Sequence, residues 1–174
     1  VHRVYLSEDG KSLAVLTGHG GIGVLNMPSL EGPPPWKAVE DVTSWTACAF
    51  SPDGRRLATA VGSGNTFIWD LATRRRLALP RTLTPRDSIS FSPDGTRLVA
   101  SDAQSASVFD TATGQRVVAL NLGGSQVAFT RHGNGLLAVR PDRAFMLHAP
   151  PLEQLHFDWL AESSDSRSWQ QDKP

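Results

Sequence analysis

Apolar and polar residues alternate along this chain in short runs, and each run is bounded by turn-forming residues rather than by helix caps. The stretch from Phe91 to Leu120, FSPDGTRLVASDAQSASVFDTATGQRVVAL, shows the unit most plainly. An apolar run ends at Phe91. Ser92-Pro93-Asp94-Gly95 follows, with proline where φ is held near −65° and glycine where φ > 0 costs least, the chemistry of a tight turn between antiparallel strands. Arg97-Leu98-Val99-Ala100, Ala106-Ser107-Val108-Phe109 and, after Thr113-Gly114, Arg116-Val117-Val118-Ala119-Leu120 read as three further strands.

The same order of strands and turns recurs. Phe50-Ser51-Pro52-Asp53-Gly54 leads into Arg56-Leu57-Ala58-Thr59-Ala60, then Asn65 to Asp70, then Arg76-Leu77-Ala78-Leu79. Upstream, Val4-Tyr5-Leu6 precedes Ser7-Glu8-Asp9-Gly10, Ser12 to Leu16 and Ile22 to Asn26. A degenerate copy runs from Gln126-Val127-Ala128-Phe129 through Leu136 to Val139 and Ala144 to His148, with Leu152 to Trp159 as its expected last strand. The residues before the first turns, Leu6, Phe50, Phe91 and Phe129, lie about 38 to 44 residues apart, a period typical of propeller blades. No segment sustains a helical apolar period. The predicted class is all-β: four consecutive four-stranded antiparallel blades at about 1–38, 39–80, 81–120 and 121–160, followed by a polar, mobile tail over 161–174.

Phe50-Ser51-Pro52-Asp53-Gly54 with Phe67-Ile68-Trp69-Asp70, and Phe91-Ser92-Pro93-Asp94-Gly95 with Val108-Phe109-Asp110-Thr111-Ala112-Thr113-Gly114, resemble WD40-repeat blades, particularly bacterial ones, over about residues 4 to 159. YVTN-type propeller repeats resemble the third unit nearly as well. The WD40 resemblance implies a hydrogen-bonded staple in each blade, built from a Gly-His pair, an Asp in the turn before the third strand and the Trp of Trp-Asp. Here no Gly-His precedes Phe50 or Phe91. Only Asp142 fits the turn position, where His19, Ser63 and Ala103 stand in the other units, and the Trp place falls on Leu25, Trp69, Phe109 and His148. The resemblance implies structural roles for these motif residues and names no reaction.

Composition narrows the function further. In 174 residues, 17 Lys and Arg balance 17 Asp and Glu, so the chain lacks the electrostatic footprint of a nucleic-acid binder. The basic run Arg74-Arg75-Arg76 reads as a solvated blade edge or as a partner contact. Cys48, the single cysteine, excludes an internal disulfide and fits a reducing, cytoplasmic setting; in its alternating run it reads as a core filler. No apolar run is long enough for a transmembrane helix, and no membrane partner is expected. The five histidines share no ligand spacing, Thr17-Gly18-His19-Gly20-Gly21 lacks the Lys-Ser/Thr of a phosphate loop, and no serine sits in a Gly-x-Ser-x-Gly elbow. Asp53, Asp70, Asp94 and Asp110 recur at matching positions, as structural carboxylates do, whereas a catalytic pair is normally unique. No catalytic, metal or cofactor residue is therefore assigned.

Glu31-Gly32-Pro33-Pro34-Pro35-Trp36-Lys37 reads as a polyproline-like surface connection, because proline cannot donate to a sheet, with Trp36 as a candidate partner contact; Trp169, in the tail, is another. The chain starts on an innermost strand and shows no strand to latch a ring, so the blades are expected to belong to a larger propeller or to close against another chain, leaving apolar faces for a partner. Two functions follow: a non-catalytic scaffold or sensor that binds a protein partner, or a propeller enzyme or small-ligand binder whose channel site absent blades complete.

Overall fold

The computed structural model describes residues 3–18, 20–27, 29–33, 36–37, 45–80, 88–101, 105–122, 125–133 and 135–148. Every regular element among them is a strand. β1 (Arg3–Leu6), β2 (Ser12–Leu16), β3 (Gly21–Asn26) and β4 (Trp36–Lys37) form one antiparallel sheet. β5 (Trp45–Phe50), β6 (Arg56–Val61), β7 (Thr66–Asp70) and β8 (Arg76–Ala78) form the second, and β9 (Ser88–Phe91), β10 (Arg97–Ser101), β11 (Ala106–Asp110) and β12 (Arg116–Leu120) the third. The fourth has three described strands, β13 (Gln126–Phe129), β14 (Gly135–Val139) and β15 (Ala144–His148); the expected strand over 152–159 and the tail lie outside the described residues.

Two expectations change at the level of single strands. The connection after Glu31 is not loop throughout: Trp36 and Lys37, free of the proline that bars a donor, pair with Ile22 and Gly21 as a short fourth strand. In the fourth sheet the Trp place is held by Leu147, not His148. Leu147 lies opposite Leu136 as Trp69 lies opposite Leu57 and Phe109 opposite Leu98, which leaves His148 opposite Gly135 in the Asp place.

The core is three seams, each shared by two consecutive sheets. Ala14, Leu16 and Ile22 pack with Trp45, Leu57, Phe67 and Trp69; Ala58, Ile68 and Leu79 with Phe91, Leu98 and Phe109; Val99, Ala106 and Val108 with Val127, Leu136 and Ala138. Strand alternation sends successive residues of the second strand of each sheet to opposite neighbours. Leu57 and Leu98 are thus fully buried against the preceding sheet and Leu136 nearly so, while Ala58 and Val99 are fully buried against the following one.

The outermost faces break this series. Leu13, equivalent to Leu57, is half-buried among its register partners Leu6 and Leu25, and Leu6 is 57% exposed. Leu137, equivalent to Val99, is 39% exposed, and Met146 opposite it is 50% exposed. Val4 and Val139 extend the two apolar faces. Polar contacts tie the seams as well: Arg3 donates to Thr46 O, Arg56 to Thr111 O and Gly95 O, and Val127 N to Ser88 Oγ at 2.9 Å.

Candidate functional site

The site grows out of the first turn of each sheet. In Ser7-Glu8-Asp9-Gly10, Ser51-Pro52-Asp53-Gly54 and Ser92-Pro93-Asp94-Gly95 the glycine has φ between 68° and 71°, the left-handed region that its missing Cβ makes accessible. Gly54 N and Gly95 N donate to Ser51 O and Ser92 O. The serine hydroxyl donates to the aspartate at 2.7, 2.5 and 2.5 Å and accepts from the backbone N–H of the residue that opens the next strand, at 2.8 Å from Ser12, 2.9 Å from Arg56 and 2.9 Å from Arg97. The aspartate also accepts a backbone N–H, from Lys11, Arg55 and Thr96. Each turn is therefore held rigid by its own side chains.

These hydrogen bonds favour the ionised carboxyl. The backbone N–H of Lys11 and the hydroxyl of Ser7 lower the Asp9 pKa, and Ser51 chiefly lowers that of Asp53. Burial pushes Asp94 up, but the bonds from Ser92 and Thr96 outweigh it and the net shift is downward. The fourth turn, Thr130-Arg131-His132-Gly133, keeps the fold, with Gly133 at φ 74°, but has His132 in place of the aspartate.

A cavity of about 600 Å³ opens where these turns converge. The second residue of all four turns lines it: Glu8, Pro52, Pro93 and Arg131. Its wall is the ends of the innermost strands, with Phe50, Phe91 and Phe129 at equivalent positions, backed by Ala49 and Ile89. The titratable side chains of the lining are Glu8 and Arg131. Sequence reasoning missed this ring of residues. Its signal was the turn position itself, proline in the two middle repeats and an opposite charge in each outer one.

The motif residues lie away from this cavity, inside their own sheets. Trp69 is buried and its Nε1 donates to Thr59 Oγ1 at 2.9 Å, one link of a staple; Phe109, fully buried, holds the equivalent place by packing alone. Asp70 and Asp110 cap the turns after β7 and β11. The Thr73 and Thr113 backbone N–H groups bond their carboxylates and are the first cause of their lowered pKa values. Asp110 also pairs with Arg97. Asp142 lies in the exposed turn between β14 and β15 with Arg143 at 3.5 Å. Cys48 is buried, and burial pushes its thiol pKa up.

Of the candidate partner contacts, Arg74 and Arg75 lie exposed in the turn between β7 and β8, and Arg76 stacks over Phe67 with its guanidinium 4.7 Å from the ring centre. Arg74 has φ 57°, in the place where the third sheet uses Gly114 and the first uses Leu30, at φ 58°. Trp36 sits in β4, and Trp169 lies outside the described residues. Arg74, Arg75 and Arg76 are not among the residues that line the cavity.

Repeated antiparallel sheets, each too small to cover both of its faces and stacked through shared apolar seams, define a protein of β-propeller blades. A family profile described as "WD domain, G-beta repeat" matches residues 40–70, the second unit up to its Trp69-Asp70. The chain is 30% identical to chicken (Gallus gallus) "WD repeat-containing protein 1", a match that covers 69% of this chain and 24% of the relative. It is 30% identical to the mouse (Mus musculus) protein of the same name, covering 60% of this chain and 21% of that protein. With "WD repeat-containing protein SL1-17" of Schistosoma mansoni it shares 41% identity over 40% of this chain and 24% of the relative. The chain belongs to the WD40-repeat family, and it spans about a quarter of the length of these curated relatives. WD40-repeat proteins generally act as scaffolds for protein interaction and are typically not enzymes.

Proposed function

We propose that this chain is a non-catalytic, protein-binding segment of a larger bacterial-type WD40 propeller, its ring completed by further blades in cis or from another chain. The observation that carries the reading is the pair of apolar faces on the first and fourth sheets, where Leu137 and Met146 are exposed at positions whose equivalents in the two middle sheets are buried, and Leu6 is exposed where Phe50, Phe91 and Phe129 are buried or half-buried. Contiguous apolar surface of this kind marks a partner. The Ser-Pro-Asp-Gly turns of the two middle repeats and the Asp-Thr-Ala-Thr-Gly of the third support the bacterial subclass, and the single buried, unpaired Cys48 supports a reducing, cytoplasmic setting. A binding role is supported by the cavity to which all four sheets contribute, at the convergence of their first turns. Light scattering and intact-particle mass spectrometry test the reading. A particle heavier than the 18.8 kDa chain, or one containing additional blades, is expected. A monodisperse monomer that unfolds cooperatively, with no further polypeptide, would overturn it.

A further inference from the structure

The three seams follow a volume rule that the two open faces continue. In the first seam Ala14 clusters with Phe50 and Trp69 of the next sheet, and in the second Ala58 clusters with Phe91 and Phe109. In the third the equivalent residue is Val99, and the pair it meets is Phe129 and Leu147. As the central side chain grows from alanine to valine, one of the two facing aromatics gives way to leucine, as a close-packed interior requires. On the open face of the fourth sheet the same position is Leu137, and on the open face of the first sheet the two aromatic places are Leu6 and Leu25. Met146, paired with Leu137, is likewise longer than its equivalents Val24, Ile68 and Val108. The bulkiest central residues thus belong to the fourth face, and the smallest facing pair to the first.

Charge agrees with volume. Strand pairing places Val4, Leu6, Leu13, Val15, Gly23 and Leu25 on the first sheet's open face, and Gln126, Ala128, Leu137, Val139, Ala144 and Met146 on the fourth sheet's. Neither set holds a charged side chain, so joining the two faces buries no unpaired ion. Direction agrees as well. Each existing seam joins the following side of one sheet to the preceding side of the next, and a fourth-on-first joint repeats that direction. Fourth-on-fourth pairing would reverse it and set the bulkiest residues against each other, and first-on-first pairing would set small against small.

We propose that the fourth sheet's open face packs on the first sheet of a second copy of this chain, so that two copies close one ring through two further seams. A head-to-tail joint of this kind forms a ring where its rotation closes. Two copies of four sheets supply eight, within the range of about four to eight blades that propellers use, and a third copy exceeds it. The proposal rests on the reading of the chain as blades completed by another chain, and it names that chain.

Sedimentation equilibrium of the full chain, alone and as mixtures of two variants, tests this. A particle of twice the 18.8 kDa chain mass is expected. Leu6→Asp and Met146→Asp each put a charge on one face at a position exposed in the single chain, so both should keep the wild-type strand spectrum by circular dichroism. Each alone is expected to self-associate at least about 100-fold more weakly, since both seams of its ring would bury that charge. The milder Leu6→Ser and Met146→Ser should act in the same direction by a smaller factor. Mixed in equal amounts, the two aspartate variants are expected to pair again, because one keeps an intact first sheet and the other an intact fourth. Single variants that still pair, or folded variants whose mixture stays monomeric, would overturn the proposal. A heavier particle with a different polypeptide or another copy number would also overturn it while leaving the scaffold reading in place, whereas a monodisperse wild-type monomer would remove both.

Discussion

Leu98 and Leu13 occupy the same place in two copies of one repeat, yet the first is wholly buried between sheets and the second lies half-buried on a face that no described sheet covers. The difference between the inner seams and the outer faces is therefore one of neighbours, not of residue type. Val99 and Leu137 repeat the lesson at the other end of the stack, where the larger side chain is the more exposed. A sheet of this kind carries an apolar residue whether or not the next sheet is present, so the pattern along a strand reports what the repeat is built to meet.

The largest effect should separate those two environments directly. Leu98→Ala is expected to cost about 2–5 kcal/mol by urea unfolding, because it leaves a cavity in a close-packed seam, and Leu13→Ala well under half as much. Equal costs would break the comparison for the single chain and show that the first sheet's outer face is covered in solution, as the proposed completion of the ring by further blades or another chain requires. Trp69→Phe sharpens it within the seams. The ring is mostly kept, but Thr59 Oγ1 loses its buried donor, for an expected cost of about 1–3 kcal/mol. No such penalty should follow from Phe109→Leu beyond its change in packing.

Smaller effects belong to the turns, outside both environments. Arg74→Gly is expected to raise stability by about 1 kcal/mol or less, relieving a left-handed residue, while Gly114→Ala lowers it, since the added methyl would lie 3.1 Å from the Leu77 side chain. The most gradual effect is with pH. Asp9, Asp53, Asp70, Asp94 and Asp110 all have folded-state pKa values below their unfolded ones, so the unfolded chain binds protons more readily in acid. Their contribution is complete above about pH 5, falls as pH drops below about 4 and is lost through the lowered folded values. Thermal midpoints measured between pH 6 and pH 2 should show this decline, and Ser51→Ala/Ser92→Ala should flatten it.

What the sequence made legible was whatever is local to one repeat. Ser-Pro-Asp-Gly fixes a turn through its own dihedral preferences and hydroxyl–carboxylate bond, and strand alternation on either side follows from it. Phase was harder to read where that punctuation weakens. The run Phe145-Met146-Leu147-His148 ends without an aspartate, so nothing local distinguishes Leu147 from His148 as the partner of Leu136. Trp36 and Lys37 were obscured in the same way by the prolines before them. The cavity could not be read locally, since Glu8 and Arg131 become neighbours of one space only when four sheets stack.

The sharing of each apolar cluster by two consecutive sheets has a consequence for changes in repeat number. Removing an outermost repeat erases one seam and exposes a face like the one it takes away, whereas removing an inner repeat erases two seams and must create a new one between sheets that never met. Gains and losses of repeats should therefore be tolerated at the margins of the array and resisted in its middle. For these same reasons, Ala58 and Val99 have less freedom to vary than Leu137.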